Sequence, residues 1–312
     1  MEWYHGQEFI DQELEVIPFY IHPIIPGDGV VLFHGSPGIG KSTVMWQIAN
    51  HLHDGLPFMG MKVVQTKVLL LNLDMPKVGV HNRWKESGFE PKFDLAFDDG
   101  FNCLKAGFQA SETYKKLKEL HEQEQYGVVI VDALGRVING SVNNDELPNQ
   151  VYSCFTQWFP HSAIIFIHHD RKRKQKDDGS LAAATEEDFL GSQYWKSFAA
   201  IQLHLYKVND QILRLHHVKS QLGVLMDEEL NLFMNEGGTK LEEWTEVKQA
   251  EEAHLLMECE VMLRQTHPEW NKYNLSKKIR LMGDALGKSQ ATIYRWRKSL
   301  NVVKGVDIGA MK

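Results

Sequence analysis

A glycine-rich stretch that runs into a lysine and a serine has residue types and spacing that indicate chemistry. It follows the pattern G-x-x-x-x-G-K-S, in the residues Gly35, Ser36, Pro37, Gly38, Ile39, Gly40, Lys41, Ser42 and Thr43. Glycines let successive backbone N–H groups turn toward a phosphate chain, and the helix that follows adds partial positive charge. Lys41 would reach the β and γ oxygens, and Ser42 would bind Mg²⁺. The stretch predicts a site for a nucleoside triphosphate, with a ligand-free turn as the alternative.

Two aspartates follow apolar runs that are typical of strands. Asp132 follows the run 126–131 and is predicted as the second Mg²⁺ ligand, because a carboxylate at the tip of an apolar strand is costly to bury unless a cation or hydrogen bonds compensate it. Asp74 follows the run 68–73 and is predicted to orient or deprotonate the attacking water. The alternatives are that Asp132 caps the next turn and that Asp74 caps a helix ahead of Pro76.

Two adjacent histidines, His168 and His169, follow the apolar run 163–167. A polar residue at a strand tip can detect the γ-phosphate and pass its presence to the following loop, and His168 is predicted in that role. Adjacent residues on a strand point to opposite faces, so the pair would not bind one metal ion together. The alternative is a polar residue that simply ends the strand.

These residues need a scaffold, and apolar runs that alternate with amphipathic stretches predict one. Four short runs are predicted as buried parallel strands: 30–33, 68–73, 128–131 and 163–167. The helices predicted around them are 42–53, 77–87, 111–125 and 145–159. The alternation predicts an α/β fold in which helices flank a mostly parallel sheet. Three later runs are predicted as antiparallel strands: 200–206, 211–218 and 231–234.

Length and composition favour an ordinary globular protein. The 312 residues are 43% apolar and 24% charged, and no stretch approaches the ~18 uninterrupted apolar residues of a membrane helix. The N-terminus lacks a cationic start followed by an apolar block, so neither secretion nor organelle import is predicted, and no membrane partner is expected. Cys103, Cys154 and Cys259 are odd in number and far apart, which argues against a disulfide framework and favours the reducing cytoplasm.

Charge is distributed unevenly along the chain. The formal net charge is −7, which argues against a protein that coats nucleic acid with its whole surface. Between Lys272 and Lys304, however, nine Lys and Arg residues accompany a single acidic residue, Asp284. A basic segment on an otherwise acidic chain indicates a part that contacts phosphates.

The basic end of the chain is predicted to hold three helices, at 254–265, 275–286 and 290–300. The last two are joined by Gly287, Lys288 and Ser289, and two helices joined by a short glycine-containing turn describe a helix-turn-helix. The residues predicted to face DNA are Lys288, Gln290, Thr292, Tyr294, Arg295, Arg297 and Lys298. The alternative is a small helical domain that docks on neighbouring subunits.

The chain from about residue 22 to residue 233 resembles the RecA-fold ATPases, and among them the RepA-like hexameric helicases of plasmids and phages, relatives of the DnaB-like replicative helicases. The phosphate loop is generic, whereas the ordered set of further motifs is more specific. These motifs are Ile25-Pro26-Gly27-Asp28-Gly29, Leu71-Asn72-Leu73-Asp74-Met75-Pro76, Val131-Asp132-Ala133-Leu134-Gly135-Arg136, His168-His169-Asp170-Arg171-Lys172, Gly191-Ser192-Gln193-Tyr194-Trp195 and Lys219-Ser220-Gln221-Leu222-Gly223.

The resemblance implies a homo-oligomeric ring, with a hexamer favoured, in which ATP and Mg²⁺ lie between subunits and central loops hold single-stranded DNA. The loop residues expected to contact that DNA are Arg171, Lys172, Arg173 and Lys174, with a solvated charged surface as the alternative. Lys219 is expected to reach the nucleotide of the next subunit.

Two positions depart from the family pattern. Asp74 stands where the family usually has Glu, so its carboxylate is one methylene shorter. Gln221 stands where the family usually has the arginine finger, a residue worth ~10³ or more in rate. The departure predicts slow hydrolysis unless another arginine, such as Arg214, substitutes.

The sequence as a whole predicts an ATP-hydrolysing, DNA-binding motor, with a replicative helicase of phage or plasmid type as the first hypothesis. Its predicted segments are a lead segment (1–21), an ATPase core (22–240), a linker (241–253) and a helix-turn-helix domain (254–312). One alternative is a recombinase or annealing protein on single-stranded DNA. The other is an ATP-gated regulator or replication initiator whose C-terminal domain binds duplex DNA.

Overall fold

The computed structural model describes residues 5–11, 18–98, 100–105, 107–138, 141–171, 189–208, 212–234, 241–242, 246–290, 292–294 and 296–297. The chain divides into two units. The first comprises Met1–Asn82, Glu90–Leu205 and His216–Glu229, and the second comprises Arg83–Phe89, Tyr206–Leu215 and Leu230–Lys312. The four segments predicted from the sequence stay a prediction.

Three strands follow the first helix directly, and from residue 29 to residue 207 strands alternate with helices. The strands are β1 (Phe19–Ile21), β2 (Ile25–Pro26), β3 (Gly29–Gly35), β4 (Val68–Asn72), β5 (Asp94–Phe97), β6 (Val128–Asp132), β7 (Ala163–His169) and β8 (Ile201–Lys207). The helices are α1 (Gly6–Ile10), α2 (Lys41–Asp54), α3 (Lys77–Ser87), α4 (Glu112–Glu124), α5 (Leu147–Trp158) and α6 (Tyr194–Phe198). Six strands lie parallel in the spatial order β5-β4-β6-β7-β3-β8. The predicted α/β class is therefore confirmed.

The apolar runs became strands because the interior of the sheet excludes water on both faces. Every residue of β4 and β6 is buried, as expected for parallel strands covered by helices on both sides. The strand β5 was not predicted, because its four residues are exposed or only partly buried at the edge of the sheet and form no apolar run. Within the described residues, no helix has the length and apolar character needed to cross a membrane.

Later strands continue the same sheet beyond β8. They are β9 (Ile212–Ser220), β10 (Leu230–Met234) and β11 (Leu241–Glu242), and β10 pairs antiparallel with both of the others. The antiparallel runs predicted at 211–218 and 231–234 are confirmed. The run predicted as antiparallel at 200–206 is corrected, because it forms β8, which follows α6 and pairs parallel with β3. The range predicted as a linker, 241–253, contains β11 and the start of a helix at Glu246, and its role between domains stays a prediction. Its many glutamates favour a helix as readily as a loop.

Three helical segments form a separate small core near the C-terminus. They are α7 (Glu246–Thr266), α8 (Leu275–Leu286) and the helical residues 290, 292–294 and 296–297. Asn274 begins α8 by accepting a hydrogen bond from the backbone N–H of Lys277, and Gly287 ends it with a φ of 62°. The core contains Leu256, Cys259, Leu263, Trp270, Ile279, Met282, Ile293 and Trp296. The predicted positions of α8 and its glycine turn are confirmed, while the helix-turn-helix function stays a prediction.

Candidate nucleotide-binding site

The predicted phosphate loop connects the end of β3 to the start of α2. Gly38 and Gly40 have positive φ angles of 73° and 105°, which residues with a Cβ rarely adopt. A Cβ at Gly35 would collide with the carbonyl oxygen of Leu205 on β8. The backbone path thus requires these glycines, and it leads into the N-terminus of α2, where free N–H groups favour an anion.

The ammonium group of Lys41 lies inside the curve of this loop. Its Nζ donates hydrogen bonds to the carbonyl oxygens of Gly35 (2.7 Å) and Ser36 (2.8 Å) and lies 3.2 Å from Nδ1 of His169. Burial lowers the pKa of Lys41 to about 8, although Asp170, Asp132 and Asp74 oppose the shift. A buried cation surrounded by loop carbonyls is held where the phosphates of a nucleotide would run.

Ser42 and Asp132 meet beside the loop, as predicted. The Oγ of Ser42 donates a 2.6 Å hydrogen bond to Oδ2 of Asp132, which is only 3% exposed at the end of β6. A hydroxyl and a carboxylate are the hard oxygen ligands that Mg²⁺ prefers beside phosphate oxygens. The donor set therefore fits the predicted metal ion.

Asp74 is joined to the same region through the backbone. The strand β4 ends at Asn72, and the N–H groups of Leu73 and Asp74 both donate to the carbonyl oxygen of Asp132, at 2.6 and 3.1 Å. These bonds bring the tip of β4 to the tip of β6. Asp74 is thereby placed on the nucleotide side of the sheet, where its predicted role requires it.

The carboxylate of Asp74 lies between two cationic or polar groups. Nε of Arg136 donates to Oδ1 at 3.2 Å, and Nε2 of His169 lies 3.9 Å from Oδ2. A cavity of about 520 Å³ opens at this point, with Asp74, Arg136 and Gly135 in its wall. The cavity offers room for water beside the carboxylate.

The two histidines at the end of β7 have different surroundings. His168 is 2% exposed, and its Nε2 donates to the carbonyl oxygen of Leu190 at 2.6 Å. Burial lowers the pKa of His168 to about 4, so the ring is neutral near pH 7. His169 is the histidine beside Lys41 and Asp74. The sensor role predicted for His168 stays a prediction, and the structure places the neighbouring His169 nearer to the phosphate loop.

Lys219 binds its own chain in this structure. Its Nζ donates to the carbonyl oxygens of Lys196 (2.9 Å), Ser197 (2.8 Å) and Ala199 (3.4 Å) at the end of α6. Gln221 also donates to Ser197, at 2.8 Å. Burial lowers the pKa of Lys219. The reach of Lys219 to a neighbouring subunit stays a prediction.

The DNA-contact residues predicted after β7 are described only in part. Arg171 is exposed directly after Asp170. The predicted residues Lys172, Arg173 and Lys174 lie outside the described residues. Arg214, the predicted substitute for the finger, has its Nε bound to Oδ1 of Asn231 at 3.0 Å.

Near the C-terminus, Lys288, Gln290 and Tyr294 are exposed and Arg297 is half-buried. Thr292 is only 8% exposed, because its N–H and hydroxyl contact the Oγ of Ser289 at the start of the helical turn. Thr292 thus takes part in the helix cap, and its contact with DNA stays a prediction. The predicted residues Arg295 and Lys298 lie outside the described residues.

Two polar residues of the site were not predicted. Strand register places His169 opposite Gly35 and His168 opposite His34, so the rule that side chains alternate between faces, applied to β7 and β3 together, would have selected His169. Arg136 follows Asp132 by four residues in a short turn of helix, Leu134–Arg136. A basic residue so close to a predicted metal ligand was the available signal.

A family model, AAA_25, with the description AAA domain, matches residues 7–175, which is more than half of the chain. No curated protein matches the chain significantly.

Among solved structures, the ATPase domain of G40P matches with a TM-score of 0.52 and 13% sequence identity, over 70% of this chain and 86% of that one. A DnaB-like replicative helicase, solved in a study of its interactions with primase, matches with a TM-score of 0.49 and 12% identity, over 68% of this chain and 57% of that one. The first likeness shows a shared fold, and with the parallel sheet and the phosphate loop it confirms the predicted RecA-like core.

Proposed function

This chain belongs to the family of AAA domains matched by AAA_25, and we propose that it hydrolyses ATP to drive a DNA motor of the helicase type. The observation that carries the ATPase proposal is the meeting of Lys41, Ser42 and Asp132 at a glycine-rich loop that leads into α2. This combination neutralises a triphosphate and supplies oxygen ligands for its metal ion.

Each residue of the site has a different role in the proposed hydrolysis. The phosphates of ATP lie along the loop, where Lys41 exchanges its loop carbonyls for β and γ oxygens. Ser42 and Asp132 would hold Mg²⁺, which would supply positive charge to those oxygens when bound. The oxygen of a water molecule forms a bond to the γ-phosphorus, the bond from that phosphorus to ADP breaks, and Asp74 accepts the water proton.

Arg136 and His169 act on Asp74 in this proposal. Each lies within 4 Å of one of its carboxylate oxygens, so together they orient a side chain that is one methylene shorter than the usual glutamate. His169 also contacts Lys41. A γ-phosphate that draws Lys41 away would change the surroundings of His169, and we assign the sensor role to that residue.

The motor part of the proposal rests on the sequence motifs shared with hexameric helicases and on the fold shared with the ATPase domain of G40P. In this proposal several copies form a ring, a hexamer by family likeness, around single-stranded DNA. The basic segment that starts at Arg171 contacts its phosphates, and the C-terminal helices contact duplex DNA.

A second candidate function is an ATP-gated DNA-binding regulator. Gln221 favours it, because this residue replaces the expected arginine finger and binds Ser197 of its own chain. Slow hydrolysis would then set only the assembly state, and the C-terminal helices would carry the specificity.

The test is steady-state ATP hydrolysis by the full chain with and without single-stranded DNA. Lys41→Ala serves as the blank, and Lys62→Ala, at an exposed lysine, is the matched control. We expect hydrolysis that single-stranded DNA stimulates, that Lys41→Ala abolishes and that Lys62→Ala leaves intact, followed by unwinding of a forked duplex. Tight ATP binding with no hydrolysis above the blank would reject the motor and support the regulator.

A further inference from the structure

A buried cluster of two histidines and an aspartate lies behind the phosphate loop. His34 on β3, His204 on β8 and Asp170 just after β7 are each no more than 2% exposed. Nδ1 of His34 lies 2.7 Å from Oδ1 of Asp170, and Nε2 of His204 lies 3.2 Å from Oδ2. The cluster thus ties together the ends of three adjacent strands.

The direction of the hydrogen bonds follows from the neighbour of His34. Nε2 of Gln202 lies 2.9 Å from Nε2 of His34, and an amide nitrogen can only donate, so this ring nitrogen accepts. Nδ1 of His34 therefore carries the proton and donates a hydrogen bond to Oδ1 of Asp170. Burial favours neutral forms in the cluster and lowers the pKa of His34. For Asp170, hydrogen bonds from His204 and His34 outweigh burial and hold its pKa below the usual range.

The same three side chains are spaced closely enough to suggest metal ligands, but their orientation fits hydrogen bonding better. The rings of His34 and His204 are stacked, with centroids 4.6 Å apart and planes 11° apart. Lone pairs on parallel rings run side by side and do not converge on one ion. Each ring instead meets its own oxygen of Asp170.

The backbone of Asp170 connects this cluster to the nucleotide site. Its N–H donates to the carbonyl oxygen of Gly35 at 3.1 Å, and that oxygen also accepts the 2.7 Å bond from Lys41. The residue directly before it is His169, which contacts Lys41 and Asp74. A rotation of Asp170 would therefore move both groups.

We propose that Asp170 is a positioning residue for ATP hydrolysis, which holds His169 and the Gly35 carbonyl in place through its bonds to His34 and His204. The inference rests on the proposed ATPase function. Asp170 itself does not contact the reacting atoms and acts through His169 and Lys41.

The main variant is Asp170→Asn, which keeps the shape but accepts at only one oxygen. We expect turnover per ATP-binding site, with sites counted by titration with a fluorescent ATP analogue, to fall ten- to a hundredfold, the order of loss for a small misplacement of catalytic groups. In a His169→Ala background the same substitution should cost less than in wild type, because one of its two routes of action is already gone and only the route through Lys41 remains. Unchanged turnover per site, or full additivity with His169→Ala, would overturn the proposal.

A matched pair at His204 keeps the test valid if Asp170→Asn folds poorly. His204→Gln keeps an N–H donor near the position of Nε2, whereas His204→Phe keeps a ring and loses the donor. We expect the Gln variant to retain turnover within about threefold and the Phe variant to lose it as Asp170→Asn does. Equal loss in both would indicate a packing role and overturn the proposal.

Ser162→Ala is the structural control. Ser162 lies just before β7, at the end of that strand opposite to Asp170. The substitution removes a buried 2.6 Å hydrogen bond that the Ser162 hydroxyl donates to the carbonyl oxygen of Tyr126. The substitution should lower the free energy of unfolding, because the Tyr126 carbonyl loses this buried donor, and it should leave turnover per site unchanged. Equal loss of turnover in Ser162→Ala and Asp170→Asn would reject positioning.

Imidazole NMR signals of the nucleotide-free protein give a readout that does not require hydrolysis. Asp170→Asn should shift the ring signal of His169, and Ser162→Ala should not. A shifted signal with no hydrolysis in wild type would reject the ATPase proposal and retain the positioning of His169. An unshifted signal with active wild type would reject only the positioning.

Discussion

Ser42 Oγ donates a 2.6 Å hydrogen bond to Asp132 Oδ2, although the two residues stand ninety positions apart in the chain. The contact exists because β6 and β3 lie in one parallel sheet with only β7 between them. Parallel strands bring their carboxyl ends to one edge, which is where open α/β sheets bind ligands. The contact keeps the buried carboxylate of Asp132 hydrogen-bonded and ready to share a metal ion with Ser42.

Asp132→Asn should lower Mg²⁺-dependent ATP turnover by on the order of a hundredfold, because metal coordination supplies several kcal/mol to phosphoryl transfer. The amide still accepts a hydrogen bond from Ser42, so the fold should be kept. Turnover measured across a Mg²⁺ titration, with a thermal melt as the folding control, checks the prediction. An unchanged rate at every Mg²⁺ concentration would remove Asp132 from the site.

ATP binding should be coupled to proton uptake by Lys41. Its pKa is lowered to about 8 by burial, against the opposing charges of Asp170, Asp132 and Asp74, and a triphosphate favours the charged form. Affinity for ATP should therefore weaken above about pH 8, approaching tenfold per pH unit. Calorimetric titrations at pH 7 and 9 in buffers of different ionisation enthalpy measure both effects.

Lys41→Arg is the matched variant for this experiment, because a guanidinium stays protonated over the whole range. Its ATP affinity should be flat between pH 7 and 9, even if weaker overall. The same pH dependence in wild type and Lys41→Arg would assign the titration to another group.

The fold class and several candidate site residues could be predicted from the sequence, because both depend on local sequence patterns. Apolar runs at 68–73 and 128–131 indicated buried strands. The loop from Gly35 to Thr43 was identified because its sequence matches the phosphate-loop motif. Asp132 was identified as a carboxylate at the tip of such a strand. The confirmed α/β fold therefore followed from alternation alone.

The remaining features depend on how distant strands align, which single-strand patterns do not contain. His169 faces Lys41 because β7 pairs with β3 in a register that sets His169 opposite Gly35. The bonds of Asp170 require His204, on a strand that joins β3 from the other side. Thr292 is polar and was therefore predicted to face DNA. In the structure its backbone N–H donates to the hydroxyl of Ser289 at the start of the helix.

Acid should destabilise the protein through His168. Burial lowers its folded-state pKa from the ordinary value of 6.5 to about 4. The hydrogen bond to Leu190 and the charge of Asp170 oppose this shift, whereas His169 and His34 add to it. Between pH 6.5 and 4 the unfolded state binds more protons, so stability falls as pH falls through this window. The loss amounts to up to about 3 kcal/mol for this residue.

Urea unfolding of wild type and His168→Gln between pH 7.5 and 4.5 measures this contribution. Gln keeps a donor toward the Leu190 carbonyl and does not titrate, so its stability should depend less steeply on pH. His81→Gln, at an exposed histidine of α3, should keep the wild-type slope. Parallel slopes for all three proteins would show that His168 is not the titrating group.

Lys219→Met should lower the free energy of unfolding by about 1–2 kcal/mol, because carbonyls at the end of α6 lose a charged donor. Lys105→Met, at an exposed lysine, serves as the control. Urea unfolding of both variants checks the effect. If stability is unchanged but ATP turnover falls, the result would indicate that the hydrogen bonds from Lys219 to α6 break in the assembled protein and that Lys219 acts on the next subunit.

DNA binding by the C-terminal helices should depend on Lys288 and Arg297. If each contacts one phosphate, Lys288→Ala and Arg297→Ala should weaken binding to all duplex sequences and lower the slope of log affinity against log salt by about one unit each. Gln290→Ala should instead weaken binding to some DNA sequences only, because an exposed amide contacts base edges.

Fluorescence anisotropy of the full chain at several salt concentrations separates these effects, with Lys118→Ala on α4 as the control. Sequence-dependent loss in Gln290→Ala would support the regulator, whereas equal salt slopes in all four variants would show that this surface does not contact DNA.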